Sequence, residues 1–390
     1  MLGKTNAQVK IGGVNTSDAT ATSNDILLGK TAYANDEKIV GTIPTYNNEH
    51  ENGYVQTNTL KKLLDATKST YNLFYSYKGK SVDDLIQPND TEKVTTMELM
   101  FNYCSNLTSI PLFNTSKVNS MANMFSQCSS LINIPLLDTS NVMTMYQMFS
   151  KCSKLTTIPL LNTSNVTTML AMFNGCSSLT EIPLLDTSKV TIMSNMFYDC
   201  KALTTIPQLD TSQVNSMNNM FYNCSALTSI PLLNTSKVNN MNNMFSGCSK
   251  LTTIPQLDTT NVTNMSSMFN GCKALMIVPL LNTSKATSMN YTFQNCERLT
   301  EIPAFDVSKV KSFSSTFHNC ISLKSIHMTD MKASFNISES TQFTDNDLHE
   351  IIDNLATVSS TQTLTMGATN LAKVKDTYVE KAANKGWTLA

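Results

Sequence analysis

The chain has 390 residues and a balanced charge, with 28 basic and 29 acidic side chains and a formal net charge of -1. Because there is no basic excess to neutralise a phosphate backbone, we do not expect nucleic acid as a partner. Hydrophobic residues make up 41% of the chain and charged residues only 15%. This composition excludes ordinary disorder, and the length is enough to bury a large core.

Residues 1–46 form a polar segment with one more apolar motif, ATSNDILLGKTAYANDEKIVGTI, over residues 21–43. The first thirty residues lack a basic start and a long apolar run, and no stretch approaches 18 consecutive apolar residues. We therefore expect neither a secretory signal nor membrane insertion. Residues 47–89 are predicted to form a linker and a helical N-terminal cap, since the leucines from Leu60 to Leu73 are spaced as on a helix.

The main feature of the sequence is a repeat of 24 residues. Ten cysteines, from Cys104 to Cys320, occur at every 24th position, and Met-Phe pairs and prolines keep the same period. Repeats of this length are typical of stacked units, none of which can bury its apolar face alone. We therefore predict a solenoid over residues 90–333.

One unit, residues 155–178, has the sequence LTTIPLLNTSNVTTMLAMFNGCSS and divides into two halves. The first half has the L-x-x-I-x-L spacing of a leucine-rich-repeat strand. The second half has apolar residues at three- and four-residue steps from Val166 to Cys176, which is typical of one helix face. Asn162 is expected to begin the cap of that helix. The predicted fold is an α/β solenoid of strand-turn-helix units that resembles a leucine-rich-repeat stack.

Residues 334–390 are predicted to form a small α/β C-terminal cap. The patterns indicate a helix from Asp345 to Leu355, a strand from Thr363 to Met366, a helix from Asn370 to Lys385 and a strand near Trp387. Thr344 is expected to cap the first of these helices and Gly386 to end the second. In the last repeat, His327 stands where the earlier repeats have proline.

The cysteines are the strongest candidates for chemistry, because an even number at regular spacing can form disulfides. Here each cysteine lies on the same predicted buried face of its repeat as Val, Met and Phe. We therefore expect buried, reduced thiols that act as small hydrophobes. No C-x-x-C pattern occurs, and the four histidines stand in no catalytic or metal-binding pattern. The sequence predicts no catalytic residue, no metal, no cofactor and no enzymatic activity.

Two positions of the repeat are candidates for a partner-binding surface. The residue two places before the proline varies, and the residue after the proline is usually Leu, on an otherwise copied scaffold. Solenoids bind partners through such extended surfaces, although drift at solvent positions is the alternative explanation. The candidate residues are Ser109, Asn133, Thr157, Glu181, Thr205, Ser229, Thr253, Ile277 and Glu301 before the proline, and Leu112, Leu136, Leu160 and Leu184 after it.

The unit L-T-x-I-P-L-L-[ND]-T-S-x-V-x-x-M-x-x-M-F-x-x-C resembles the BspA-like leucine-rich-repeat family over residues 90–333. The family's commoner unit is a little longer in the turn between strand and helix. Its members are mostly bacterial surface proteins and adhesins, and similar repeats occur in phage and prophage proteins. The resemblance therefore implies a leucine-rich-repeat fold and a role in surface binding.

Residues 21–43 resemble the segment A-T-A-x-D-I-L-x-G-K-T-A-Y-x-x-x-x-K-x-x-G-T of tail and fibre proteins of phages that infect Gram-positive bacteria. The resemblance implies that residues 1–46 attach the chain to a particle. The residues that it assigns to attachment are Asp25, Ile26, Leu27, Gly29, Lys30 and Tyr33.

Together the two resemblances imply a non-enzymatic tail fibre or receptor-binding protein of a phage or phage-tail-like particle, assembled in the host cytoplasm. The expected partners are other tail or baseplate proteins and a host cell-surface polymer or protein. A homo-oligomer is also expected, with a trimer as one form. The alternatives are a structural baseplate, collar or decoration protein, and a bacterial BspA-like surface adhesin.

Overall fold

The computed structural model describes residues 64–390, Lys61, and the backbone of four strands in the N-terminal part. These strands form an antiparallel sheet of order β2-β1-β3-β4. Their bounds are β1 Gln8–Ile11, β2 Val14–Thr20, β3 Thr31–Ala34 and β4 Glu37–Val40. The chain divides into two compact units, unit 1 (Met1–Thr168) and unit 2 (Met169–Ala390).

The second half of each repeat consists of consecutive β-turns. We call the eight residues that end at the cysteine the turn segment. In the turn segment 121–128, the amides of alternate residues from Met124 to Cys128 donate to the carbonyl oxygen three residues earlier. Asn123 and Gln127, at the third position of their turns, have positive φ angles of 55° and 68°. This is the conformation that a type II turn requires.

The other amides of the turn segment join one repeat to the next. The amides of Asn123 and Phe125 donate to the carbonyl oxygens of Tyr146 and Met148, at 2.8 and 2.9 Å. In unit 2, the amide of Phe221 makes the same bond to the next repeat. Alternate amides therefore donate within their own turn and to the next repeat. In this way the backbone amides that are buried away from water obtain hydrogen-bond partners.

The helix predicted for the second half is absent from the repeats of residues 94–320. A helix would use every amide internally and leave none for the neighbouring repeat. Steps of three and four residues are shared by helices and by consecutive four-residue turns, so the spacing alone was ambiguous. The distinguishing signal is the residue before each cysteine, which from Gly175 onward is always Gly, Asn or Asp and has positive φ.

The first half of each repeat is extended but pairs weakly with its neighbours. We call the stretch from its first Leu to the second residue after its proline the extended segment, for example residues 131–137. The amide of Thr228 donates to the carbonyl of Thr204 at 3.2 Å. The proline three residues later has no amide with which to continue the pairing. The prediction of a strand in every unit is therefore wrong, because in most units the proline lacks the amide that would donate a strand-pairing hydrogen bond.

The last repeat supports this explanation. There the amide of His327, in the position of the missing proline, donates to the carbonyl of Ile302 at 2.9 Å. Strands β5 (Glu301–Ile302) and β6 (Ser325–Ile326) pair in parallel at this point. Strand pairing appears where the proline is replaced.

The core consists of columns of identical residues from successive turns. In unit 2 the ring of Phe221 stacks on Phe197 at 5.6 Å and on Phe245 at 5.7 Å between centroids, with planes within 6°. In unit 1, Phe101 and Phe125 stack at 5.6 Å. These rings are buried, and offset stacking at such distances adds to the free energy of apolar burial.

The cysteines form a second buried column in each unit. All ten are buried thiols outside any disulfide, which confirms the expectation from their phase. The thiol of Cys224 donates to the carbonyl of Phe197 at 3.0 Å, and that of Cys248 to Phe221 at 3.1 Å. Burial raises the pKa of Cys320 to about 12 and that of Cys224 well above its ordinary value.

The N-T-S triplets close turns and do not cap helices. The Oδ1 atom of Asn162 accepts hydrogen bonds from the amide and the hydroxyl of Ser164, at 3.1 and 2.8 Å. The Asn-Thr-Ser sequence folds as a local turn because short polar side chains bond to the backbone two residues ahead. The threonines at the centre of these triplets are buried, and Thr235 donates to the carbonyl of Asp258 at 2.8 Å.

An additional turn precedes the first cysteine-containing one. Phe74 stacks on Phe101 at 5.4 Å, and Ser69 forms a parallel bridge with Thr96. Equivalent residues of this turn and the next one are therefore 27 positions apart in the sequence, whereas those of the later repeats are 24 apart. Within the part of 47–89 predicted as a helical cap, helical backbone is described at residues 64–67 and in a 3₁₀ helix, Pro88–Thr91.

The C-terminal region, residues 334–390, contains ordinary helices and strands. Its parallel sheet has the order β7-β8-β9. The elements are β7 Phe335–Asn336, α1 Asp345–Asp353, β8 Gln362–Thr365, α2 Gly367–Leu371, α3 Asp376–Asn384 and β9 Trp387–Leu389.

Two residues that were predicted to mark helix ends in this region can be compared with the structure. Thr344 caps α1 by accepting a hydrogen bond from the amide of Asp347 at 3.3 Å. Gly386 has a φ of 84°, and a Cβ there would come within 2.6 Å of the Val358 carbonyl oxygen. The single helix predicted from Asn370 to Lys385 is instead the two helices α2 and α3. No helix in the described residues is long and apolar enough to cross a membrane.

Candidate interaction surface

Two of the exposed positions in each extended segment form rows along the stack. We call the position two before the proline the variable row and the position after it the leucine row. All predicted residues of both rows are exposed. In unit 1 the variable row is Ser109, Asn133 and Thr157, and the leucine row is Leu112, Leu136 and Leu160. In unit 2 they are Glu181, Thr205, Ser229, Thr253, Ile277 and Glu301, and Leu184, Leu232 and Leu280.

The packing of the extended segment explains why these side chains face solvent. Leu131, Ile134 and Leu137 are buried, and the residues between them are exposed or half-buried. The proline fixes one backbone φ angle in each segment. The two rows are therefore held on a regular and rigid backbone, whatever side chains they carry.

The leucine row is unusually apolar for a surface. Its members are between 55% and 63% exposed, and burying a leucine fully is worth about 1.5–3 kcal/mol. In unit 1 the two rows carry no charge, and Ile132 adds a further exposed apolar side chain. A contiguous apolar surface on a soluble domain is typical of a contact site.

Unit 2 interrupts its leucine row with polar residues. Gln208 and Gln256 occupy two of the positions, and their Nε2 atoms donate to the carbonyls of Leu232 and Leu280 at 2.7 and 2.8 Å. Each glutamine thus satisfies a carbonyl of the next repeat, so the position accepts either residue without losing its backbone geometry.

Carboxylates lie two residues beyond the leucine row. The hydroxyl and then the amide of Ser140 lower the pKa of Asp138, while the amide and then the hydroxyl of Ser212 lower the pKa of Asp210. These side chains are consequently ionised near neutral pH. The leucine row therefore has a negatively charged edge at some repeats and a neutral asparagine edge at others.

Sequence analysis did not identify a pair of stacked tyrosines. Tyr198 and Tyr222 lie two residues before successive cysteines of unit 2, and their rings stack at 4.5 Å with planes 9° apart. Both are half-exposed. The available signal was the occurrence of Tyr at this one position in consecutive repeats, MFYDC and MFYNC, where other repeats carry mainly small polar residues.

The three histidines in the described part of the chain pair with carboxylates or an aromatic ring. His318 lies 2.8 Å from Glu339, and His327 lies 2.7 Å from Glu350. The buried His349 stacks on Tyr378 at 3.8 Å. Within the described part of the chain, no group of three or more His, Cys, Asp or Glu side chains is placed to hold a metal ion.

The candidate attachment residues fall largely outside the described part. Tyr33 belongs to β3, where its backbone pairs with Lys38 of β4 and Lys10 of β1. Asp25, Ile26, Leu27, Gly29 and Lys30 lie outside the described residues.

The geometry defines a protein of stacked, turn-built repeats with exposed rows of side chains. The chain belongs to the DUF285 family, described as a Mycoplasma protein of unknown function. The family model matches the overlapping segments 68–181, 130–230, 155–253, 180–277, 223–330 and 252–354. This match supports the predicted repeat architecture. No curated protein sequence matches the chain.

Solved structures similar to this chain include three bacterial leucine-rich-repeat proteins. One from Bacteroides ovatus is 16% identical, with a TM-score of 0.39, over 82% of this chain and 86% of its own. The leucine-rich-repeat protein of T. pallidum is 17% identical, with a TM-score of 0.33, over 53% and 78% of the two chains. One from Eubacterium ventriosum is 17% identical, with a TM-score of 0.33, over 62% and 85%.

Proposed function

We propose that this chain is a non-enzymatic receptor-binding protein, of the tail-fibre type, of a phage or phage-tail-like particle. In this proposal the variable and leucine rows contact a polymer or protein of the host cell surface. Residues 1–46 attach the chain to other tail or baseplate proteins, and the chain acts as a homo-oligomer, with a trimer as the form to test. The protein is assembled in the host cytoplasm and belongs to the mature particle.

The leucine rows are the observation on which the proposal depends. The repeats place apolar side chains at an exposed position while the buried positions are already filled by Leu, Ile, Met and Phe. A core has no use for these leucines, and exposing them carries a risk of aggregation. A surface partner that covers them would gain apolar burial at each repeat. The variable row beside them supplies polar groups that differ from one repeat to the next.

Binding of the full chain to bacterial cells tests this role. A variant with Leu112, Leu136 and Leu160 changed to Gln, and a second with Leu184, Leu232 and Leu280 changed to Gln, remove the apolar rows of units 1 and 2 separately. The chain itself carries Gln at this position in two repeats, so both variants should fold. We expect at least one variant to bind susceptible cells about tenfold more weakly than the parent chain, measured by flow cytometry of fluorescently labelled protein.

The matched control changes an exposed row outside the extended segments. Asn215→Thr with Asn239→Thr replaces residues at a position where other repeats already have threonine. This variant should bind cells as the parent chain does. Equal binding by the parent and both leucine-row variants would contradict the assigned surface, and no binding of the parent to any susceptible strain would favour a structural baseplate, collar or decoration protein.

A bacterial surface adhesin is the second candidate, favoured by the resemblance of the repeats to the BspA-like family. Immunogold labelling separates the two locations, because a tail protein labels particles and an adhesin labels the envelope of the cells that produce it. Deletion of residues 1–46 should remove the protein from particles while leaving the repeat stack folded. Particles that retain the truncated chain would refute attachment through this segment.

A further inference from the structure

We propose that Tyr198 and Tyr222 form a stacking platform for an uncharged sugar ring of a polysaccharide, which lies against Tyr222 on the side of Ser246. The inference deepens the proposed function, since it names the chemical class of the surface polymer. It concerns a set of residues in the turn segments of unit 2, separate from the variable and leucine rows.

The two tyrosines form a close aromatic stack at the surface. Their ring centroids are 4.5 Å apart, whereas the buried phenylalanines of the same two repeats, Phe197 and Phe221, are 5.6 Å apart. The tyrosine rings therefore lean together more closely than the repeat itself requires. Burial first, and then the neighbouring Tyr222 and Asp199, raise the pKa of Tyr198, so its ring is a neutral phenol near neutral pH.

The stack ends abruptly at the next repeat. The position that follows Tyr222 in the column is Ser246, a small and buried side chain that has no ring to continue the stack. The position after that is Asn270. Successive repeats here are 5.7 and 5.8 Å apart, measured between the phenylalanine rings. A ring placed one repeat beyond Tyr222 would thus lie at a favourable stacking distance of about 4.5–7 Å.

Polar groups stand beside this position. Asn223 donates from Nδ2 to Asp199 Oδ1 at 3.0 Å, which fixes its amide. The Oδ1 atom of Asn223 lies over Gly247 and would clash with a Cβ there, so this oxygen approaches the backbone only because glycine has no side chain. Asn270 donates from Nδ2 to Gln294 Oε1 at 3.1 Å. The amide oxygens of Asn223 and Asn270 are consequently oriented acceptors for hydroxyl groups.

This arrangement suits an uncharged sugar better than a nucleotide. The face of an aromatic ring is electron-rich, so it attracts the slightly positive C–H groups of a pyranose ring. Hydroxyl groups at the edge of the same ring can donate to amide oxygens. The carboxylate of Asp199 would repel the phosphates that accompany a nucleobase, and the chain has no basic excess to offset this repulsion.

The test uses the full chain and a panel of uncharged oligosaccharides: cellotetraose, maltotetraose and tetra-N-acetylchitotetraose. Saturation-transfer NMR detects the bound sugar protons, and titration gives the dissociation constant. Tyr222→Ser introduces the residue that the next repeat already has, and Ser246→Tyr places a ring beyond Tyr222 by introducing the residue that the previous repeat has. Ser126→Tyr makes the same change at the same repeat position in unit 1 and serves as the matched control.

We expect the parent chain and Ser126→Tyr to bind at least one member of the panel equally. Tyr222→Ser and Ser246→Tyr should bind it at least about tenfold more weakly, with unchanged circular dichroism. The inference is overturned if the parent binds no member of the panel, if Ser246→Tyr binds as the parent does, or if single-stranded oligothymidylate binds in place of the sugars.

The result is distinguishable from that of the cell-binding test. A parent chain that binds susceptible cells but no oligosaccharide refutes the sugar platform and leaves the proposed function intact. A parent chain that binds the oligosaccharide through Tyr222 but adheres to no cells refutes the proposed function and leaves the platform intact.

Discussion

The turn segments and the extended segments share one repeat but have different physical tasks. In a turn segment nearly every amide has a partner, either in its own turn or in the next repeat, and the Phe, Met and Cys side chains are buried. In an extended segment the proline removes one donor, few bonds cross to the next repeat, and exposed residues alternate with buried ones. The comparison indicates that the turn segments stabilise the stack while the extended segments display side chains.

The difference also explains where the repeats tolerate variation. A turn segment must keep positive φ at fixed positions and a buried ring in each column, so substitutions there disturb both neighbours. A leucine-row side chain is more than half exposed, and in two repeats Gln stands in place of Leu and donates to a carbonyl of the next repeat. Sequence variation within this chain follows the same division.

The largest expected effect concerns the buried thiols of the turn segments. Above about pH 9 a thiol of the unfolded chain loses its proton, whereas burial keeps Cys224 and Cys248 protonated in the folded state. The unfolded state then binds fewer protons, so the unfolding free energy falls as the pH rises, by about 1.4 kcal/mol per pH unit for each such thiol. This stabilising contribution is fully present below pH 9.

Replacing both thiols should reduce that dependence. We expect Cys224→Ala with Cys248→Ala to lower the slope of unfolding free energy against pH, between about pH 9.5 and 11, by about 3 kcal/mol per pH unit. Urea unfolding at several pH values measures the slope. Val238→Ala with Val262→Ala, which shortens two buried side chains without removing a titrating group, is the control and should keep the parent slope. Equal slopes in all three proteins would refute the assignment.

A smaller effect is expected from backbone strain in a turn segment. Gly271 has a φ of 74°, and a Cβ at this residue would have no atom nearer than 3.6 Å, so Gly271→Ala adds strain without a clash. We expect a loss of about 1–2 kcal/mol in unfolding free energy, measured by urea denaturation. Gly271→Asn should lose less, because asparagine tolerates this conformation and occupies it at Asn223 and Asn295. An alanine variant as stable as the parent would show that the turn geometry relaxes.

The smallest effect is expected in an extended segment. Pro255→Ala restores an amide opposite the carbonyl of Ile230, as His327 provides opposite Ile302. The new hydrogen bond and the greater freedom of the unfolded chain oppose each other, so unfolding free energy should change by less than about 1 kcal/mol. Hydrogen exchange should nevertheless show a protected amide at position 255. Rapid exchange at that amide would mean that proline is not what prevents strand pairing.

Sequence analysis predicted the repeat and its buried phase well and the local conformation poorly. The 24-residue period locates every buried cysteine and the column of buried phenylalanines from Phe101 to Phe317, because identical positions must meet identical neighbours in a stack. The three- and four-residue spacing from Val166 to Cys176 was interpreted as a helix, since helices and successive turns both return side chains to one side at this spacing. Capping sequences, such as Thr344 before α1, were more informative because the bond they form is local.

The candidate surface was predictable to a similar extent. The exposure of the leucine row was predicted because Gln or Ala replaces Leu at this position in some repeats. A buried position would not accept these replacements. The tyrosine platform was not predicted, since a period marks what is repeated, and Tyr198 and Tyr222 are departures from the repeat. Their significance depends on the distance between the two rings and on the short side chain that follows them.

The sequence by itself determined that the chain is a stack of 24-residue units with apolar residues and thiols inside. This was possible because the buried residues recur at a fixed interval along the sequence. Only the tertiary structure decided that each unit is built from turns and not from a strand and a helix. The reason is that the deciding hydrogen bonds join residues about 23 positions apart, and the spacing of apolar side chains, which fits a helix as well as a series of turns, does not show where a backbone amide finds its partner.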